Sequence, residues 1–198
     1  MSDRTNEYAF LANQVYLPNP VDMDVRDGDR TYSVEAVATD PVTGFFATAY
    51  RDVDSGRYVI AYRGTDDPLD VVVDSGMASS RLNLQQRESE DFTRDVLTAA
   101  EKTGHAEGGQ ADVTVTGHSL GGALAEINAA KFGLRGETFN AYGAVDLIGG
   151  TPEGGNQVIN HVRAGDPVSA ANRHFGEVRI YATADDIATL KHAGYGGE

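Results

Sequence analysis

The sequence predicts an α/β fold with a mixed, mostly parallel central sheet, antiparallel N-terminal strands and flanking helices. The first indication is residues 113–132, where an alternating strand pattern leads through a glycine turn directly into a helical pattern. The second is the alternation of strand and helix patterns after residue 88, which is typical of a parallel sheet covered by helices. The third is a series of short strand patterns before residue 63, separated by turn residues, which indicates antiparallel neighbours.

The N-terminal elements are predicted from apolar spacing and turn residues. Residues 7–16 carry apolar side chains on one helical side, and Pro18 and Pro20 end this helix. The acidic stretch 22–29 is predicted to be a loop. Three strands with glycine-containing turns between them are predicted at 33–38, 45–50 and 57–62. Because these turns are short, the strands are expected to form an antiparallel meander.

The C-terminal part of the chain alternates helices and strands. One helix is predicted over 89–103, and another follows the turn at 117–121 and stops at Gly133. Three further short strands are predicted at 137–142, 157–163 and 177–182. We expect one domain over residues 1–198. The sequence stops shortly after His192, which leaves open a truncated edge or a former linker at that end.

Composition limits the classes of function. The chain has 198 residues, 40% of them hydrophobic, which suits a substantial core. It has no cysteine, which excludes disulfides, thiolate metal sites and a thiol nucleophile. The formal net charge of −14, from 16 basic and 30 acidic residues, opposes nucleic acid as a partner and gives no long-range attraction to anionic membranes. No metal-ligand spacing is visible, and no cofactor is expected.

The sequence also bears on localisation. The N-terminus shows no signal-peptide pattern, and no apolar run approaches the length of a membrane span. These patterns predict a cytoplasmic protein or delivery by a non-classical or specialised secretion system.

The turn at residues 117–121, Gly-His-Ser-Leu-Gly, indicates a nucleophile elbow. In such a turn a serine after a strand projects its hydroxyl at the top of the sheet, and the glycines leave room for a strained backbone. Ser119 also stands at a helix N-terminus, where backbone N–H groups and the positive end of the helix dipole favour a developing oxyanion. The pattern therefore predicts Ser119 as a nucleophile.

A serine nucleophile needs a histidine base and an orienting carboxylate, in the chain order serine, acid, histidine. Asp166 follows a predicted strand, so its carboxylate is expected on the rim of the sheet that carries the elbow. The pair 185–186 competes as the acid but is typical of a helix N-terminus. His174 and His192 both lie downstream and are both candidate bases. His161 lies within a predicted strand and is interpreted as structural.

Three motifs together resemble the class 3, fungal-type lipases: Arg-Gly-Thr at 63–65, Gly-His-Ser-Leu-Gly-Gly at 117–122 and Asp-Pro-Val at 166–168. The resemblance covers about residues 7–195, with the motifs in family order. It implies the α/β-hydrolase fold and cleavage of ester bonds in acylglycerols or phospholipids. By this resemblance Ser119 is the nucleophile and Asp166 the triad acid. Thr65, by its N–H and hydroxyl, and the Leu120 N–H would supply the oxyanion contacts.

The resemblance also ranks the two candidate bases. Residues 173–178 resemble the structural His-x-Gly-Glu stretch of the family, which enters a strand. Residues 192–195, His-Ala-Gly-Tyr, resemble the terminal His-x-x-Tyr that carries the catalytic histidine. The resemblance therefore implies His192 as the base, with His174 as the alternative base.

The lid of this family follows the Arg-Gly-Thr strand. Here the segment 74–86 contains Met77, Leu82 and Leu84 among polar residues. So thin an apolar lid predicts weak interfacial activation.

The leading hypothesis is a carboxylic ester hydrolase that cleaves lipids through a Ser-His-Asp triad and an acyl-enzyme. A phospholipase A-type activity is slightly favoured over an acylglycerol lipase. The alternatives are a soluble short-chain esterase or thioesterase and a non-catalytic α/β-hydrolase scaffold. Because it lacks cysteines and a signal peptide, the chain also resembles bacterial lipase-like effectors delivered into competing cells. That resemblance implies transient membrane contact and an inhibitory or immunity protein as partner.

Overall fold

The computed structural model describes residues 3–65, 75–106, 108, 111–147 and 149–194. Its helices are α1 (Asp3–Gln14), α2 (Ser75–Ala106), α3 (Leu120–Phe132) and α4 (Ala184–His192). Its strands are β1 (Asp24–Asp27), β2 (Arg30–Asp40), β3 (Phe45–Asp52), β4 (Tyr58–Tyr62), β5 (Val113–His118), β6 (Arg135–Phe139), β7 (Gly154–Arg163) and β8 (Phe175–Tyr181).

In the described residues the strands form an eight-stranded sheet and lie side by side in chain order. Strands β1 to β4 pair antiparallel, which confirms the predicted meander. Strands β4 to β8 pair parallel, as the alternation of helices and strands predicted. Because parallel strands end at the same edge of a sheet, the segments after β4, β5, β6 and β7 meet on one rim.

Helices cover both faces of the sheet. The neighbouring β4 residues Val59 and Ile60 point to opposite faces, because side chains alternate along a strand. Val59 belongs to the apolar cluster that includes Leu11 of α1. Ile60 belongs to the larger cluster that includes Leu82 of α2 and Leu124 of α3. Burying one side chain of this size stabilises the fold by about 1.5–3 kcal/mol, so both layers hold β4 in the centre of the core.

The structure corrects two predictions in the N-terminal region. The helix predicted from residue 7 begins at Asp3. The predicted acidic loop contains the strand β1, which pairs with β2 in the register of Asp24 with Ser33. Val25 is the buried residue of this short strand. One buried side chain among charged neighbours gives too weak an alternation to reveal a strand in the sequence.

Two boundaries further along the chain are corrected as well. The helix predicted from residue 89 begins at Ser75 and runs for 32 residues. Its added turns were missed because polar residues surround the few apolar positions that face the core. The strand predicted to reach residue 142 ends at Phe139. Asn140 there adopts a φ of 44°, a left-handed conformation that breaks the extended backbone.

The segment expected to form a lid is part of α2 from Ser75 onward. Ala78 and Leu82 are buried in the core, whereas Leu84 is 62% exposed. Asp74 and the side chain of Met77 lie outside the described residues. The apolar side chains of this segment therefore serve mainly to attach α2 to the sheet. None of the helices in the described ranges has the length and apolar character needed to cross a membrane.

Candidate active site

Ser119 lies in a strained turn between β5 and α3. Its backbone has φ 57° and ψ −127°, and residues with a Cβ rarely adopt a positive φ. A Cβ on Gly117 would lie 2.4 Å from the carbonyl of Gly121, and a Cβ on Gly121 would lie 2.1 Å from the carbonyl oxygen of Tyr62. Both positions need glycine because the start of the helix packs directly on the strand ends.

The hydroxyl of Ser119 is buried and unpaired. The residue is 1% exposed, and in the described part of the chain its Oγ has no hydrogen-bond partner. Its N–H donates to the carbonyl of Phe139 at 3.2 Å, which ties the elbow to the end of β6. Leu120 begins α3, so its N–H has no acceptor within the helix. An N–H at a helix start and next to a serine hydroxyl suits the stabilisation of an oxyanion.

The end of β4 packs against the elbow. A Cβ on Gly64 would lie 2.6 Å from the carbonyl oxygen of His118 and 3.2 Å from the Cβ of Ser119. The main chain therefore passes directly beside the predicted nucleophile, and glycine is required for this approach. The N–H of Gly64 donates to the Tyr16 hydroxyl at 3.0 Å, which fixes the strand end to the segment after α1.

The two residues expected to supply the oxyanion contacts share one space. Thr65 and Leu120 both line a cavity of about 480 Å³. Its walls come from the end of β4, the turn between β2 and β3, and the first half of α2. The tertiary structure thus brings these two residues together on the rim that carries Ser119.

Asp166 lies in the loop after β7, on the same rim. The N–H of Ser169 donates to its carboxylate at 2.8 Å, and the Ser169 hydroxyl donates to its carbonyl at 3.2 Å. Burial lowers the pKa of His118 in the elbow, and the negative charge of Asp166 partly offsets this decrease. Asp166 is therefore close enough to the elbow to interact with it electrostatically. Hydrogen bonds within the loop therefore fix Asp166 near the elbow.

His192 is the last residue of α4, and its side chain is exposed. Thr189 and Leu190 of the same helix line a cavity of about 390 Å³ together with Asp166. The structure thus brings the helix with the predicted base to the loop with the predicted acid. Within the described ranges, no hydrogen bond joins Ser119, Asp166 and His192, so their joint role stays a prediction.

His174 is enclosed by two acceptor oxygens. Its Nδ1 lies 2.9 Å from the Glu126 carboxylate, and its Nε2 lies 3.0 Å from the Ser169 carbonyl. When Glu126 is ionised, both oxygens are acceptors and both ring nitrogens donate to them, as they can in the charged imidazolium. Burial lowers the pKa of His174, but the hydrogen bond and charge of Glu126 outweigh it, so the pKa is raised. The ring nitrogens are thus occupied away from Ser119.

Glu126 is a residue that the sequence did not single out. It lies on α3, is fully buried, and accepts backbone N–H groups of Ala144 at 3.1 Å and Phe175 at 2.8 Å. Burial raises its pKa, and His174 and these two N–H groups oppose the rise. A charged residue in the middle of a largely apolar helix was the available signal, because such a residue is buried only with partners.

The remaining candidates have structural partners. His161 lies 2.5 Å from the Glu137 carboxylate and 3.0 Å from the Tyr181 hydroxyl, and its ring stacks on Phe139. Asp186 forms the capping box of α4 with Thr183. It also pairs with Arg163 at 2.8 Å. These contacts agree with a structural role for His161 and a helix N-terminal role for Asp186.

Comparisons with known proteins identify relatives of the chain. A family model described as phospholipase-like, a Tle-like phospholipase domain, matches residues 7–146. The extracellular phospholipase A1 of Serratia liquefaciens is 28% identical over 150 residues, which cover 76% of this chain. The chain spans 40% of the length of that curated relative.

Solved structures establish the fold. A triacylglycerol lipase from Penicillium expansum has a TM-score of 0.57 and 16% identity, with 91% of this chain and 79% of that chain covered. The Lip2 lipase from Yarrowia lipolytica has a TM-score of 0.61 and 16% identity, with 91% and 80% covered. These similarities confirm the predicted α/β-hydrolase fold and the predicted resemblance to fungal-type lipases.

Proposed function

The chain belongs to the Tle-like phospholipase family, and we therefore propose that it hydrolyses acyl ester bonds of lipids with Ser119 as the nucleophile. The observation that carries this proposal is the buried, unpaired hydroxyl of Ser119 in a strained turn. Backbone strain and unpaired polar atoms both cost stability, and such costs concentrate at functional sites. Leu120, the residue after Ser119, lines a cavity of about 480 Å³ together with Thr65.

The proposed reaction proceeds through an acyl-enzyme. Ser119 Oγ attacks the ester carbonyl carbon while His192, oriented by Asp166, takes the serine proton. The oxyanion is stabilised by the Leu120 N–H and by the N–H and hydroxyl of Thr65. Collapse of the tetrahedral intermediate breaks the ester C–O bond, and His192 returns the proton to the leaving alcohol. Water then attacks the acyl-enzyme and releases a carboxylic acid.

Phospholipids are the proposed substrate class, with phospholipase A-type cleavage ahead of acylglycerol hydrolysis. The family description and the name of the Serratia relative support this order. Transient membrane contact, an inhibitory or immunity protein partner and delivery as a bacterial effector remain predictions, as does the single domain over residues 1–198.

The first experiment is mass spectrometry of products from phosphatidylcholine vesicles, a triacylglycerol emulsion and a short-chain soluble ester. Ser119→Ala should lower turnover by about 10³-fold or more, because it removes the nucleophile. Ser55→Ala, in an exposed turn, is the matched control and should retain activity. Free fatty acid with lysophospholipid supports the phospholipase. Hydrolysis of the soluble ester alone contradicts it, and full activity of Ser119→Ala excludes the serine mechanism.

The base is tested by comparing two histidine variants. His192→Ala should lower kcat strongly and leave thermal stability unchanged, because its side chain is exposed. His174→Ala should lower stability, because it leaves the buried Glu126 carboxylate unpaired. Assays at a temperature where both variants are folded separate the two effects. A large kcat loss for folded His174→Ala with normal His192→Ala would reverse the assignment.

A further inference from the structure

Two arginines are among the described residues that line the cavity beside the elbow. Among the described residues that line it, Arg63 and Arg81 are cationic, and none is an aspartate or glutamate. This contrasts with the whole chain, where acidic residues outnumber basic ones to give a net charge of −14. The same cavity is lined by Thr65 and Leu120, which form the proposed oxyanion site. Cationic groups are therefore placed next to the position of the reacting ester.

The guanidinium of Arg63 stacks on an aromatic ring and has a donor without an acceptor among the described residues. Its guanidinium lies over the ring of Phe46, 4.7 Å from the ring centroid. Stacking uses the face of the guanidinium and leaves the N–H groups at its edge available to a phosphate or carboxylate. Its Nε is buried and has no hydrogen-bond partner in the part of the chain that the structure describes. A stacked guanidinium in the wall of the cavity suits an anionic ligand.

Arg81 approaches the cavity from α2. Its side chain is half-buried, and no ion pair joins it to the described residues. The wall next to it is fixed by Gln85, whose Nε2 donates to the Thr43 carbonyl at 2.8 Å. Glu88 accepts the Thr43 hydroxyl at 2.9 Å and is not among the lining residues. Among the described residues, therefore, no carboxylate competes with a ligand in the cavity for Arg81.

We infer that this cavity holds the phosphate of a glycerophospholipid, with Arg63 and Arg81 as its contacts. The inference rests on the proposed function, since the ester would lie at Thr65 and Leu120. Only a few bonds of the glycerol backbone separate the phosphate from either acyl ester, so both groups fit one cavity of about 480 Å³. Arginine is well suited to phosphate because its planar fork of donors matches the oxygens. The two arginines then select phospholipids over neutral acylglycerols.

The test compares phosphatidylcholine with diacylglycerol of the same acyl chains in the same mixed micelles. Arg63→Gln and Arg81→Gln should each lower the ratio of kcat/KM for the phospholipid to that for diacylglycerol by about 10- to 100-fold, the effect of losing a charge-assisted hydrogen bond. Arg87→Gln is the control, because Arg87 is exposed on the same helix and does not line the cavity. An unchanged ratio in both variants overturns the inference, and so does an equal fall for Arg87→Gln.

A second readout uses inhibitors of short-chain ester hydrolysis. Glycerophosphocholine should inhibit the wild-type enzyme competitively, and Arg81→Gln should weaken this inhibition about 10-fold or more. Inorganic phosphate distinguishes a free anion site from a lipid headgroup site. If it inhibits as strongly as glycerophosphocholine, the headgroup assignment is overturned.

Ser119→Ala separates the phosphate-site proposal from the proposed serine mechanism. If that variant retains activity, the serine mechanism fails, whereas normal serine dependence with insensitive arginine variants removes only the phosphate site.

Discussion

At the scale of single residues, Ser119 combines two unfavourable features. Its positive φ places a residue with a Cβ in a sparsely populated region, which costs about 1–3 kcal/mol. Its buried hydroxyl has no partner among the described residues, which costs about 1–3 kcal/mol as well. Close contacts at Gly64, Gly117 and Gly121 hold this turn in place. The fold therefore keeps a strained residue with an unpaired hydroxyl at the expense of stability.

Replacing Ser119 should make the protein more stable and inactive. Ser119→Ala removes the unpaired hydroxyl but keeps the backbone strain, so we expect a higher free energy of unfolding by about 1 kcal/mol. Ser119→Gly also relieves the strain, and a further gain of about 1 kcal/mol is expected after the greater entropy of unfolded glycine is subtracted. Urea denaturation of the three proteins measures the order. A wild-type protein as stable as both variants would show that the turn is not strained.

At the scale of elements, buried polar contacts connect α3, which follows the predicted nucleophile, to the loop of the predicted acid. Glu126 on α3 binds His174, and His174 binds the Ser169 carbonyl. The N–H of Ser169 in turn donates to Asp166. The contact between Glu126 and His174 joins segments 48 residues apart, and the other two contacts lie within the segment that follows β7. The pair of Glu126 and His174 therefore sets the position of the acid loop relative to α3.

This pair should make stability depend on pH. The pKa of His174 is raised in the folded protein above its ordinary value of 6.5. The folded state thus binds the proton more tightly, so this stabilisation is complete below about pH 6.5 and is lost as the pH rises through the raised pKa. The free energy of unfolding of the wild type should therefore fall as the pH rises above about 6.5 and through the raised pKa of His174.

The reference for this measurement is the double variant Glu126→Gln, His174→Gln, in which neither group titrates. Chemical denaturation at several pH values should give a shallower decline for the double variant over the same range. His118 makes the free energy of unfolding rise with pH instead, and does so at lower pH, because burial lowers its pKa. Equal slopes for the two proteins would show that the pair does not retain its proton in the folded state.

At the scale of the whole molecule, the net charge of −14 opposes approach to an anionic lipid surface. Like charges repel over about one Debye length, which is about 30 Å at 0.01 M salt and about 8 Å at 0.15 M. The two arginines that line the cavity beside the elbow attract a phosphate only at short range. Binding to a lipid surface must therefore depend on local contacts rather than on long-range attraction.

Anionic lipid should slow the enzyme at low salt. Phosphatidylcholine vesicles are compared with vesicles that also contain a non-hydrolysable diether phosphatidylglycerol, so that the hydrolysed lipid stays the same. The initial rate should be lower on the anionic vesicles, and the difference should shrink as salt screens the repulsion. Faster hydrolysis on anionic vesicles would show that a local cationic surface dominates the net charge.

The sequence determined the fold class and the turn between β5 and α3 with its glycines, because these depend on local alternation, helical spacing and close backbone contacts. Residues 113–122 carry all three signals within one short segment. The same local signals were too weak for β1 and for the first half of α2, whose few buried side chains stand among polar neighbours.

Only the tertiary structure decided which distant residues meet. The pairing of Glu126 with His174 and the shared cavity of Arg63 with Arg81 join segments far apart in the chain. A lone charged residue shows in a sequence that it needs a partner, but not which one it has. That choice depends on the order of strands in the sheet and on how helices pack across it, because these bring the partners within hydrogen-bonding distance.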